Sequence, residues 1–208
     1  NKWREFQNWP PKKAKKKKLY FRGDKNLNFT PPKENEKKKT EWISDPDNPV
    51  PYTEDIKIVF TPKKYMTDDQ RFAGRRSDVM AFTSEVLEED VTISGDMLAN
   101  LKVSTSGTAS DWVVKLIDVY PSDTQNNKHT PKGVKLQDYE QMVRSEVIRG
   151  RFRNSYENPE PFEPGKVTKV ELPLQDIMHT FKKGHQIMIQ VQSTWFPLVD
   201  INPHTYVD

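Results

Sequence analysis

The chain has 208 residues, 33 Lys and Arg against 30 Asp and Glu, and no cysteine. That length suits one large all-β domain, or a small domain with extensions, and the missing cysteines exclude disulfides, thiolate metal sites and a cysteine nucleophile. An aromatic share of 11% excludes a disordered chain, and no apolar run approaches the ~20 residues of a membrane span.

The net charge of +3 is unevenly spread, because lysines gather at Lys12, Lys13, Lys15 to Lys18 and Lys37 to Lys39. These lysines lack interleaved arginines or aromatic residues, which bidentate phosphate contacts and base stacking require. The run therefore reads as a solvated loop, and neither nucleic acid nor membrane is an expected partner.

Residues 1–54 read as an initial strand or docking segment followed by a polar wrapping segment of the same domain. Trp3, Phe6 and Trp9 precede a Pro10–Pro11 stop, and the chain opens at Asn1 as though continuing a longer polypeptide. Short apolar pieces follow at Leu19–Phe21, Leu27–Phe29 and Trp42–Ile43. The prolines at 31, 32, 46, 49 and 51 confine them to sheet edges.

Residues 55–208 read as a jelly-roll core. Its expected strands are Ile56–Phe60, Val79–Ser84, Val91–Ser106 (kinked near Gly95), Trp112–Tyr120, Gln141–Arg149, Val167–Leu174 and His185–Ser193, with a short helical turn over Leu174–Phe181. In the last strand His185, Ile187, Ile189 and Val191 face one way, and Gln186, Met188, Gln190 and Gln192 the other. That alternation predicts one buried and one wet face. Trp112–Tyr120 is apolar on both faces, which predicts a central strand covered by the second sheet and by something else. The fold class is thus all-β, a jelly-roll β-sandwich of the galactose-binding-like kind with long loops.

No catalytic constellation accompanies this pattern. The G-x-S-x-G turn of an α/β-hydrolase is absent, and Ser94–Gly95 and Ser106–Gly107 read as turn residues. Ser110–Asp111 has no histidine near it in sequence. His129, His179, His185 and His204 fall into no metal-binding spacing, and His179 and His185 read as hydrogen-bonded structural residues. The oxygen-rich stretches at Asp45–Asn48 and at Asp123, Asn126 and Asn127 fall short of the six to eight ligands typical of Ca²⁺ and read as exposed turns. Trp42, Tyr52, Tyr65, Trp195 and Phe196 admit two readings, a sugar-stacking face or core and interface.

The whole chain resembles the C-terminal jelly-roll domain of the cocaine esterase and X-Pro dipeptidyl-peptidase group of serine hydrolases. Within that group it is most similar to α-amino acid ester hydrolases and glutaryl-7-aminocephalosporanic acid acylases. The stretches that carry the resemblance are Trp3–Pro10, Asp45–Pro51, Tyr65–Phe72, Arg76–Val79, Asp111–Pro121, Arg149–Arg153, His179–His185 and Ser193–Asp200, in the family's order. The resemblance implies that the catalytic Ser-Asp-His triad lies in an α/β-hydrolase domain upstream of Asn1, so this chain carries no catalytic residue, cofactor or metal. Its partners would be the upstream α/β-hydrolase and cap domains of the parent chain, with a homo-oligomer as a further option. The parent would be a secreted or periplasmic protein. The resemblance also places a substrate-pocket wall near Val59, Phe60, Tyr65 and Met66. Trp3, Trp195 and Phe196 are expected at interdomain contacts, leaving an exposed apolar footprint on the isolated chain. The rival reading is a carbohydrate-binding module; a weaker one is a polyanion-binding domain using the lysine run.

Overall fold

The computed structural model describes residues 3–36, 39–56 and 63–207. Among them eight strands form two facing sheets: β1 (Tyr20–Phe21), β2 (Asn26–Asn28), β3 (Met80–Ser84), β4 (Val91–Val103), β5 (Asp111–Val119), β6 (Glu140–Arg149), β7 (Thr168–Phe181) and β8 (Gln186–Gln192). The larger sheet runs β1-β2-β3-β8-β5-β6, and the smaller is the long β4-β7 ribbon. All pairings are antiparallel except β2 with β3. The chain is an all-β sandwich.

Alternation creates the core between the sheets. Trp112, Val114 and Leu116 of β5, with Ile187 and Val191 of β8, meet Val170, Leu172, Ile177 and Phe181 of β7. The first segment docks at one edge, where Leu27 is 2% exposed and Phe21 packs edge-on against Phe82 at 4.7 Å. Trp42 lies outside any strand and closes the same core edge-on against Trp112, while Ile43 is left to solvent.

The helical turn expected over Leu174–Phe181 is instead the second half of β7. Its i, i+3, i+4, i+7 apolar spacing is the imprint of a bulge. Met97 pairs with Leu174 but Gly95 pairs with Ile177, so β7 carries an extra residue there and its alternation changes phase. Arg144 of β6 reaches this bulge, donating to the Asp176 carbonyl at 2.9 Å and to Gln175 at 3.3 Å. Gly95 sits opposite with φ +96°, and the N-terminal strap crosses it closely: a Cβ on Gly95 would come within 2.8 Å of Pro10 Cβ. Trp9 anchors the strap by donating to the Asp176 carboxylate at 2.5 Å. The kink near Gly95 is therefore both a bulge and a crossing point.

One further expectation changes. Gln190 and Gln192, assigned to a wet face, are both 0% exposed. The reason is that the outer face of the large sheet is covered by the chain itself. Segment 63–79, with a 3-10 turn at Lys63–Met66 and the short helix α1 (Arg71–Gly74), lies over one part; the turn at residues 193–199 lies over another. The second cover that β5 needed is thus internal to the domain. The expected strand Ile56–Phe60 falls mostly outside the described residues, and Ile56 itself is an exposed coil residue.

Candidate functional surface

The outer face of the large sheet carries a cluster of buried ionisable and amide side chains. Alternation along β5 turns Val113, Lys115 and Ile117 outward, and Lys115 pairs in register with Gln190 of β8. Lys115 is 0% exposed. Its Nζ donates to Gln70 Oε1 at 3.0 Å and lies over the rings of Trp195 at 5.0 Å and Phe72 at 5.9 Å. Burial away from water pushes the ammonium down to about 7, with Glu140 opposing the shift. Glu140 of β6 is pushed up to about 7, chiefly by burial and then by Asp69, while Arg71, Arg75 and Lys115 oppose the rise. Gln190 Nε2 donates to Glu140 Oε2 at 3.1 Å and to the Gln70 carbonyl at 3.3 Å. Sequence reasoning read this strand but not this cluster. The available signal was a lysine set among apolar residues on both faces of one strand.

Segment 63–79 is fixed to the sheet at several further points. The Gln70 amide donates to the Glu140 carbonyl at 3.0 Å, and Asp69 bridges Gln141. The Tyr139 hydroxyl donates to the Thr67 carbonyl, and Thr53 to the Asp68 carboxylate. Burial, with Asp69 and Asp68 nearby, pushes Tyr139 up to about 12, so that hydroxyl stays a donor. Tyr65 packs edge-on against Trp195 at 5.9 Å and beside Tyr52 at 5.5 Å, while Met66 is 46% exposed. Val59 and Phe60 lie outside the described residues.

The residues assigned to interdomain contact divide in two. Trp3 is fully exposed and Phe196 is 38% exposed, whereas Trp195 is turned inward at 5%. Phe196 is held by the chain's own backbone, with Tyr52 donating to its carbonyl and its amide donating to Val50, each at 2.9 Å.

His179 and His185 meet on one carboxylate. Asp118 of β5 holds His179 Nε2 at 2.8 Å from Oδ2 and His185 Nδ1 at 2.7 Å from Oδ1, tying the two sheets together. Both histidines thus have the structural role expected of them. Asp111, raised by burial, is bonded to Asn202 at 2.6 Å and Arg149 at 3.3 Å, and Ser110 Oγ donates to the Asp111 carbonyl at 3.4 Å. The Asp111 carboxylate thus holds the C-terminal segment through Asn202, while the Ser110 hydroxyl bonds the adjacent carbonyl.

The aromatic residues weighed for sugar stacking do not form a platform. Tyr52 is buried, Trp42 meets Trp112 at 88° and Tyr65 meets Trp195 at 78°. Phe152 and exposed Tyr156 stack at 26°, but stacked rings present one outer face rather than two side by side. Lys12 to Lys18 are exposed; Lys16 approaches Asp96 at 3.4 Å and Lys17 lies 5.9 Å from Phe29.

The buried polar groups of this sandwich are spent largely on holding its own segments against the sheets. The chain belongs to the X-Pro dipeptidyl-peptidase C-terminal non-catalytic domain family, whose model matches residues 1–208. It is 31% identical over 164 residues to cocaine esterase from Rhodococcus sp. (strain MB1 Bresler), covering 79% of this chain and 26% of that protein. A solved aminopeptidase from a marine sediment archaeon, Thaumarchaeota archaeon, superposes with TM-score 0.89 at 39% identity, over 100% of this chain and 34% of its own. A solved α-amino acid ester hydrolase gives TM-score 0.80 at 38% identity, over 91% and 30% respectively. The chain therefore spans only a quarter to a third of the length of these relatives.

Proposed function

We propose that this chain is the C-terminal supporting domain of a serine acyl hydrolase, bracing an α/β-hydrolase domain and walling its substrate pocket. The observation that carries the reading is the family match along all 208 residues to a non-catalytic domain, together with much longer relatives, of which the match covers 26–34%, whose names are those of hydrolases. The parent reaction would be acyl transfer to water through an acyl-serine, on α-amino esters, β-lactam side-chain amides or N-terminal dipeptides. Met66 and Tyr65 would stand at the pocket, and Trp3 and Phe196 would meet the hydrolase domain, with Trp195 as the buried support beneath Phe196. Contacts of this kind shape substrate choice through binding and leave the chemical step to the triad.

The test is hydrolysis of a chromogenic acyl ester by this chain beside the longer polypeptide that includes the upstream region. A silent chain and an active parent that is labelled by a serine-directed probe are the expected result. Turnover by the chain itself would sink the reading.

A further inference from the structure

The proposed pocket wall rests on a buried lysine. Each group that Lys115 Nζ touches belongs to a segment laid over the sheet: Gln70 and Phe72 come from segment 63–79, and Trp195 from the turn at 193–199. Gln70 is only 1% exposed, and three strands hold it at once. Its side-chain oxygen accepts from Lys115 on β5, its amide donates to Glu140 on β6, and its carbonyl accepts from Gln190 on β8. The same carbonyl accepts the Ala73 and Gly74 amides that begin α1. Helix α1 then lies directly on the cluster, since a Cβ on Gly74 would come 3.0 Å from Gln190 Nε2 and 3.2 Å from Glu140 Oε2.

A second line leads from Lys115 toward the pocket. The Trp195 ring that lies 5.0 Å from Nζ is the ring against which Tyr65 packs edge-on. An ammonium over an indole face and a phenol ring meeting the same indole constrain each other. Tyr65 is thus set from two directions, through Gln70 along the backbone and through Trp195 across the rings, and Met66 follows Tyr65 in the same 3-10 turn.

We propose that Lys115 is the positioning residue of the pocket wall: by holding Gln70 and Trp195 together it fixes where Tyr65 and Met66 stand, and so which acyl groups the parent enzyme accepts. This rests on the reading of Tyr65 and Met66 as pocket residues. An aliphatic side chain at 115 would fill the same space but hold neither partner, which explains a lysine at a site flanked by Val113 and Ile117.

Two measurements test it. In this chain, amide hydrogen exchange is followed for wild type, Lys115→Met, Gln70→Leu and the double variant. Each single variant should speed exchange at Gln70, Ala73 and Gly74 by about tenfold, with the β4-β7 amides unchanged. The double variant should match the singles, because the two side chains act as one unit. Exchange at those amides that Lys115→Met leaves unchanged, or effects that simply add, overturn the role of Lys115. In the longer hydrolase, Lys115→Met should raise KM and shift the preference between a small and a bulky acyl ester by at least about threefold, with kcat nearly constant. Faster exchange with an unshifted preference would overturn the pocket-wall reading while leaving the hold on segment 63–79 in place.

Discussion

Lys115 and Glu140 make the chain's stability depend on pH in an unusual direction. Lys115 gives up its proton at about 7 in the folded chain, against a reference of 10.5, so between those values the unfolded chain binds more protons and stability rises with pH. Glu140 keeps its proton to about 7, against a reference of 4.5, so across that lower window the folded chain binds more protons and stability falls as pH rises. The pair's contribution is lowest near pH 7, where both burial penalties act. Urea midpoints are therefore expected to be lower at pH 7 than at pH 5.5 or 9; Lys115→Met should remove the alkaline rise and Glu140→Gln the acid one. Lys115→Met also leaves the buried Gln70 Oε1 without its donor, a cost of about 1–3 kcal/mol that offsets the relieved burial penalty at pH 7. Asp118 behaves otherwise. It accepts from two imidazoles, and Asp118→Ala should lower stability by roughly 3 kcal/mol, read from the same urea curves. Both residues stood in plain view inside a strand apolar on both faces, which marks them as buried but not what they hold. Their hydrogen-bond partners lie 45 to 67 positions away in sequence.

Among the elements, the β4-β7 ribbon shows where local pattern misleads. Leu174, Ile177, Met178 and Phe181 have helical spacing, yet they belong to a strand whose alternation is reset by one bulge. Periodicity cannot separate these cases over eight residues, because the pairing partner decides. Gly95 was legible as a kink, and its role at the strap crossing was not. Gly95→Ala faces both a positive φ and Pro10, so a loss of about 1–2 kcal/mol is expected, along with greater solvent exposure of Trp9 by fluorescence quenching. Segment 63–79 is the complementary case. It belongs to no strand and is seated through polar groups, Gln70 above all, that the sheet below satisfies.

For the molecule as a whole, the reading of a supporting domain separates surface from core. Trp3 and Phe196 expose apolar area on this chain, so Trp3→Ser and Phe196→Ser should leave its own stability within about 0.5 kcal/mol. In the longer hydrolase the same changes should lower thermal stability and activity together. A fall in the isolated chain's stability instead would show that these rings serve this domain alone. The sequence by itself determined the all-β class, the order of the main strands and the family, because two-residue alternation and turn chemistry are local and the family's motifs lie in order along the chain. It also placed His179 and His185 as structural residues. Only the tertiary structure decided that β5 is covered by its own chain, that Gln190 and Gln192 are buried, and that Lys115, Gln70 and Glu140 share one site. Those facts depend on which distant segments lie on a sheet face, and a strand's own residues record that a face is covered without recording by what.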